Sequence, residues 1–172
     1  MGELTLVLGG SGSGKSEVAE RMAASHGEPV IYLATAAAGD REMAGRIERH
    51  RSRRPSGWST VEESRALALA VEREGKKGGV LLLEDLTTWL ANLLSGGDAE
   101  DVVLREVENL LAAVDRVPAR IIMVACEVGC GLVPVYPLGR AFRDVSGRAN
   151  QMAAARAGRV YLVVAALPLT LK

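Results

Sequence analysis

The sequence is poor in aromatic residues, in cysteine and in net charge. Only 3% of its 172 residues are aromatic, so any core must be built from aliphatic side chains and alanine. Its two cysteines, Cys126 and Cys130, are too few for a disulfide framework or for a zinc site made of cysteine alone. The formal net charge is zero, which argues against a global attraction to nucleic acid or to an anionic membrane.

Long apolar runs are missing as well. The apolar runs, such as residues 80–83 and 160–167, have the length of a strand and are too short to cross a bilayer. The N-terminal residues contain neither a basic region nor a cleavage site, so we expect no signal peptide. We therefore expect a cytoplasmic protein that does not enter a membrane, with both cysteines reduced.

The chain does contain short apolar runs that alternate with segments of helical periodicity. We predict strands over residues 4–8, 30–33, 58–61, 80–83, 121–125 and 160–165. We predict helices over residues 15–25, 40–54, 64–73, 86–94, 98–115 and 138–157, with Asp98 as an N-cap. Strands that are apolar throughout and alternate with helices indicate a mostly parallel sheet with helices on both faces. We expect one α/β domain over residues 1–172.

Residues 9–16 read GGSGSGKS and match the phosphate-binding pattern G-x-x-x-x-G-K-S. The motif lies between a predicted strand and a predicted helix, which distinguishes it from a Gly-Ser turn without function. We therefore predict a P-loop NTPase-like fold, in which Lys15 contacts the outer phosphates and the Ser16 hydroxyl binds Mg²⁺. The residues predicted to bind nucleotide in this motif are Gly9, Gly10, Ser11, Gly12, Ser13, Gly14, Lys15 and Ser16.

A magnesium site in such a fold needs a carboxylate at the end of another strand. The strand over residues 80–83 is followed by Glu84 and Asp85. Either carboxylate could bind the metal, and we favour Glu84 because it directly ends the apolar run. The alternative is that the carboxylate caps the helix that follows.

His50 continues the apolar stripe of Met43 and Ile47 on a helix that is rich in arginine. The arginines around it are Arg46, Arg49, Arg51, Arg53 and Arg54. A packed histidine on a helix face is one interpretation. The other is a covalent nucleophile, because a cationic neighbourhood favours the neutral imidazole and arginines bind polyphosphate. A nucleic-acid patch is disfavoured, since no aromatic residue lies among the arginines.

Taken in order, these motifs resemble one family, the adenosylcobinamide kinases and adenosylcobinamide-phosphate guanylyltransferases. The resemblance extends along nearly the whole chain. The segments that carry it are GGSGSGKS at 9–16, YLATA at 32–36, D-x-E-M at 40–43, R-I-x-x-H at 46–50, R-P-x-x-W at 54–58, LLLEDLTTWLANLL at 81–94, EVGCGLVP at 127–134 and FRDVSGRANQ at 142–151. Gly12 departs from the pattern, because the family usually has an arginine there.

The resemblance implies a homotrimer that acts on a corrinoid in two reactions. The hydroxyl of adenosylcobinamide is first phosphorylated by ATP or GTP, with Mg²⁺ expected. GMP from GTP is then transferred through a guanylylated histidine, which falls on His50. The family's other nucleotide contacts map onto Ala34, Thr35, Ala36, Arg51, Ser52, Arg53, Arg54, Glu62 and Glu84. Glu63 remains an alternative to Glu62.

Two other functions are compatible with the residues alone. The first is a P-loop kinase of another small-molecule hydroxyl, in which His50 is structural and no guanylyl transfer occurs. The second is a nucleotide-binding module without turnover. The arginine cluster and the carboxylate at the strand end make this second function the weaker hypothesis.

Overall fold

The computed structural model describes residues 3–36, 45, 48, 51–52 and 54–172. Its strands are β1 (Leu4–Gly9), β2 (Val30–Ala34), β3 (Ser59–Glu62), β4 (Val80–Glu84), β5 (Arg120–Cys126), β6 (Arg159–Val164) and β7 (Leu167–Thr170). The helices for which complete bounds are described are α1 (Lys15–Ser25), α2 (Leu67–Gly75), α3 (Leu86–Ser95), α4 (Glu100–Arg116) and α5 (Pro137–Arg156).

The predicted helix over residues 40–54 lies largely outside the described residues. Gly45, Glu48, Arg51 and Ser52 are helical. His50 and Arg53 are not among the residues that the structure describes, so their predicted roles remain predictions.

The seven strands form one sheet in the order β3-β2-β4-β5-β1-β6-β7. All neighbouring strands from β3 to β6 pair in parallel, and β7 pairs antiparallel to β6. The parallel strands therefore end at one edge, where Gly9 pairs with Cys126 and Ala34 pairs with both Glu62 and Glu84. This edge is where a ligand binds in open α/β sheets.

Both faces of the sheet are buried, which explains why the central strands are apolar throughout. On β4, Val80 and Leu82 belong to a cluster under α1, whereas Leu81 and Leu83 belong to a larger cluster under the other four helices with complete bounds. Because successive side chains of a strand point to opposite faces, each of these four residues requires an apolar side chain. Among the described residues, no helix combines the length and the apolar character needed to span a membrane.

Three predictions about the elements were wrong. Asp98 does not cap α4, because Ala99 is the N-cap and Asp98 instead pairs with Arg65 at 2.5 Å. Helix α2 begins at Leu67 rather than at residue 64, because the Glu63 side chain accepts hydrogen bonds from the backbone there. The last strand does not continue to residue 165. The chain turns back after Val164 and adds β7, which was not predicted.

Candidate functional site

The glycine-rich motif forms a loop between β1 and α1 at the carboxyl edge of the sheet. Gly12 and Gly14 have φ angles of 70° and 86°, in the left-handed region that favours glycine. Lys15 begins α1 and is only 3% exposed, with its Nζ 3.4 Å from the Gly10 carbonyl oxygen. The loop thus combines a helix N-terminus with a nearly buried cation, an arrangement suited to binding phosphate.

Ser16 and Glu84 meet across the edge of the sheet. The Ser16 hydroxyl donates a hydrogen bond of 2.5 Å to Oε1 of Glu84. The other oxygen, Oε2, is buried and has no hydrogen-bond partner. Burial, followed by the charge of Asp85, raises the pKa of Glu84 to about 8, against the opposing effects of Ser16 and Lys15. A buried carboxylate with one free oxygen can accept a proton or bind a cation.

The neighbouring carboxylate has a different role. Asp85 is the N-cap of α3, where its Oδ1 accepts a hydrogen bond of 2.6 Å from the Thr88 N–H. The structure thus assigns capping to Asp85 and leaves Glu84 facing Ser16. The capping alternative is therefore realised by Asp85, and metal binding by Glu84 remains a prediction.

Thr35 is fully buried and fixes the end of β4. Its hydroxyl oxygen lies 2.8 Å from the Asp85 carbonyl oxygen and accepts a hydrogen bond of 2.9 Å from the Asp85 N–H. Its backbone N–H also donates to the Glu84 carbonyl oxygen at 3.0 Å. Thr35 therefore holds the backbone that presents Glu84, with Ala34 and Ala36 half-buried on either side.

Arg54 lies against the ring of Tyr32, and its predicted contact with polyphosphate remains a prediction. Its guanidinium carbon is 3.5 Å from the centre of the Tyr32 ring, and Nη1 donates to Thr60 Oγ1 at 3.1 Å. Burial, followed by the charge of Glu84, raises the pKa of Tyr32, and Arg54 partly offsets this rise. Nε of Arg54 is buried without a hydrogen-bond partner, whereas Arg51 and Ser52 are exposed.

Glu62 and Glu63 have distinct environments. Glu62 ends β3 beside Ala34 and is exposed. Oε1 of Glu63 accepts hydrogen bonds from the N–H groups of Arg65 and Ala66, at 2.9 and 2.8 Å. The Arg65 hydrogen bond is the main reason that the pKa of Glu63 lies below its ordinary value. Glu62 is thus the residue of the pair that remains available to a ligand.

Sequence reasoning missed Asn92 as a residue that organises the site. Its side-chain amide donates to the carbonyl oxygens of Thr35 and Ser64, at 2.9 and 3.2 Å, and so ties α3 to the ends of β2 and β3. Asn92 lies on the inner side of an apolar helix, where a polar residue needs partners. That position in LLLEDLTTWLANLL was the signal that could have identified it.

The geometry at this edge defines a class of protein, the P-loop nucleotide-binding enzymes of α/β fold. In agreement, a solved structure of a KaiC-like protein from the archaeon Pyrococcus horikoshii superposes with a TM-score of 0.52, covering 93% of this chain and 70% of that chain. Because the two sequences are only 12% identical, this similarity establishes the fold alone.

Sequence comparison identifies the family. Residues 5–171 match the family model described as cobinamide kinase / cobinamide phosphate guanyltransferase. The bifunctional adenosylcobalamin biosynthesis protein CobP of Pseudomonas aeruginosa is 47% identical over 97% of this chain and 96% of its own length. The corresponding CobU protein of Escherichia coli is 41% identical over 98% and 99%. The chain therefore belongs to the cobinamide kinase / cobinamide phosphate guanyltransferase family of enzymes.

Proposed function

We propose that this enzyme phosphorylates adenosylcobinamide with ATP or GTP and then converts the product to adenosylcobinamide-GDP with GTP. Family membership over nearly the whole chain supports the two activities. The observation in the structure that best supports them is the Ser16–Glu84 hydrogen bond beside a phosphate loop with a nearly buried lysine. This arrangement is suited to a nucleoside triphosphate with its metal ion.

The residues around Ser16 fit Mg²⁺. Magnesium prefers oxygen ligands and is bound by one or two protein groups together with water and substrate phosphates. The Ser16 hydroxyl and the unpaired Oε2 of Glu84 provide such oxygens. No cluster of three or more histidine, cysteine or acidic residues that could hold a metal occurs among the described residues, so a site here would depend on the nucleotide. When bound, Mg²⁺ would neutralise charge on the phosphate oxygens.

In the kinase reaction, the loop would hold the triphosphate while Lys15 faces its outer phosphates. The acceptor hydroxyl attacks the γ-phosphorus, the bond to the β-phosphate oxygen breaks, and the hydroxyl proton is released. Charge builds up on the phosphoryl oxygens during this step, and a fixed lysine with backbone N–H donors stabilises it. Both ATP and GTP can serve as donor by this mechanism, because Lys15 and the backbone N–H groups of the loop would contact only the phosphates.

In the second reaction, we propose that His50 is the nucleophile. An imidazole nitrogen attacks the α-phosphorus of GTP, and the bond to pyrophosphate breaks. An oxygen of the corrinoid phosphate then attacks the same phosphorus, the P–N bond breaks, and the free histidine is regenerated. Covalent catalysis replaces one difficult displacement by two easier ones. The arginines of this segment, Arg51 and Arg53 among them, would contact the polyphosphate, and Glu62 the guanosine.

An exposed apolar surface supports the association of copies of this chain, which we propose to be a homotrimer. Strand β7 is at the edge of the sheet, and its Leu167, Leu169 and the following Leu171 are more than half exposed. An edge strand with exposed leucines favours association with another surface. We propose that copies of this chain bury these leucines and that the assembly acts in the cytoplasm. Sedimentation of the purified protein should give three times the chain mass.

An acceptor assay tests the proposed function. Purified enzyme is incubated with adenosylcobinamide, GTP and Mg²⁺. The corrinoid products are separated by chromatography and identified by mass spectrometry. The proposal predicts adenosylcobinamide phosphate first and adenosylcobinamide-GDP later, with one pyrophosphate released per GDP product. Formation of the phosphate alone, with no pyrophosphate at any GTP concentration, would refute the second activity.

A further inference from the structure

The turn between β6 and β7 has a backbone conformation that its residues disfavour. Val164 pairs with Leu167, so Ala165 and Ala166 are the two residues of a tight hairpin turn. Their φ angles are 52° and 63°. Positive φ at both positions is the geometry of a type I′ turn, which normally uses asparagine and glycine. Within the described part of the chain, these alanines are the only non-glycine residues with positive φ.

This turn lies directly against the phosphate loop. The Ala166 N–H donates a hydrogen bond of 2.8 Å to the Ser13 carbonyl oxygen. A Cβ on Gly14 would lie 3.0 Å from both Cα and Cβ of Ala166, so the two backbones approach as closely as glycine permits. The register explains this contact, because β6 pairs with β1 up to Val163 and Gly9. Strained backbone persists where the surrounding structure requires it, and such places concentrate at functional sites.

The hydrogen bond sets the orientation of one peptide plane in the loop. In a trans peptide the carbonyl oxygen and the N–H point in opposite directions. Because the Ser13 carbonyl points to the hairpin, the N–H of Gly14 points away from it. Gly14 immediately precedes α1, where backbone N–H groups form the anion site of a P-loop.

We propose that Ala166 is a positioning residue for nucleotide binding: its N–H holds the Ser13–Gly14 peptide so that the Gly14 N–H faces the phosphates. This role rests on the proposed function, since it requires a triphosphate in the loop. Positive φ at Ala165 and Ala166 costs conformational free energy, but a turn of this shape presents the Ala166 N–H to the Ser13 carbonyl oxygen.

The test removes a single N–H group by replacing an amide with an ester. Residue 166 is replaced by lactic acid, which keeps the methyl group of alanine and deletes the donor. The matched control replaces residue 171 by the hydroxy acid of leucine. The Leu171 N–H also donates at 2.8 Å, to the Val160 carbonyl oxygen, but at the other end of the same hairpin. Affinity is measured calorimetrically with Mg²⁺ and a GTP analogue that cannot be hydrolysed, and stability by thermal unfolding.

We expect both esters to lower the unfolding midpoint by similar amounts, because each removes one backbone hydrogen bond. Only the ester at 166 should weaken nucleotide binding, by about fivefold, the equivalent of one hydrogen bond. Equal affinities of the unmodified protein and the Ala166 ester would overturn the positioning role and leave the proposed function intact. Absence of nucleotide binding by the unmodified protein would instead overturn the proposed function.

Discussion

The Ser16 hydroxyl donates a 2.5 Å hydrogen bond to Glu84, although 68 positions separate the two residues in the chain. The contact arises because β1 and β4 end at the same edge, with only β5 between them. Thr35 and Asn92 support the Ser16–Glu84 contact, because their hydrogen bonds hold the ends of β2 and β4 together. The site is therefore a property of the sheet edge as a whole, and its parts can be tested separately.

Glu84 and Asp85 should differ sharply when each is changed to its amide. Glu84→Gln removes the carboxylate that faces Ser16, and we expect phosphoryl transfer to adenosylcobinamide to fall by about 100-fold. Asp85→Asn keeps a good N-cap for α3 and should retain most of the rate. The rates are measured at saturating Mg²⁺ and nucleotide, with thermal unfolding as a check of folding. A larger loss for Asp85→Asn than for Glu84→Gln would contradict the assignment.

Alanine variants of Glu62 and Glu63 should affect different properties, GTP affinity in the first case and the free energy of unfolding in the second. Glu63→Ala loses two hydrogen bonds to backbone N–H groups, so we expect the free energy of unfolding to fall by about 1 kcal/mol. Glu62→Ala should leave stability unchanged and weaken GTP binding by about tenfold. Urea unfolding and calorimetric titration with GTP measure the two effects. Weaker GTP binding in Glu63→Ala alone would reverse the roles.

The turn strain can be measured with one substitution made at two places. Ala165→Gly replaces an alanine at a φ of 52°, so we expect stability to rise by about 0.5 kcal/mol, the strain relief less the added unfolded-state entropy. Ala112→Gly, in the middle of α4, should lower stability by about 1 kcal/mol. Chemical denaturation of both variants measures the difference. Destabilisation of similar size at both positions would mean that the turn carries no strain.

Glu74 should make the stability of the fold depend on pH. It is 4% exposed, and hydrogen bonds from Arg73 and then Lys77 hold its pKa below the ordinary value of 4.5. A lowered pKa stabilises the fold above the unfolded value, and this stability is lost as the pH falls through the lower folded value. Glu74→Gln should therefore be less stable than the unaltered protein at pH 7, with the gap closing below about pH 4.5.

Urea unfolding between pH 7 and pH 3 measures this gap. Glu108→Gln, which changes an exposed residue of α4 in the same way, is the control and should show no such convergence. If the difference in unfolding free energy between Glu74→Gln and the unaltered protein stays constant down to pH 3, the ion pairs of Glu74 are not the source of that difference.

Sequence patterns predicted the parts of the molecule that depend on local chemistry. The loop over residues 9–16 and the strand before Glu84 follow from glycine spacing and from an apolar run, and the structure has both. Strand β7 could not be predicted in the same way, because Ala165 and Ala166 carry no turn signal and Pro168 disfavours a strand. The turn contacts Ser13 through the Ala166 N–H, and no local pattern contains this contact.

Contacts that depend on distant partners were also missed. Asp98 precedes a helix and has the chemistry of a cap, yet Arg65, 33 positions earlier, takes its carboxylate. The contact between the Arg54 guanidinium and the ring of Tyr32 was likewise not predicted. Arg65 lies in the loop between β3 and α2 and Tyr32 lies in β2, so both contacts become visible only when the sheet is assembled.

The central claim is that His50 forms a covalent bond to GMP, and transfer of label from GTP tests it most directly. The enzyme is incubated with GTP labelled at the α-phosphate and with Mg²⁺, without corrinoid, and the modified peptide is mapped by mass spectrometry. We predict an acid-labile GMP adduct on His50 that adenosylcobinamide phosphate discharges, and no adduct in His50→Ala, which should retain kinase activity. An adduct on another residue, or none while adenosylcobinamide-GDP is still formed, would contradict the account.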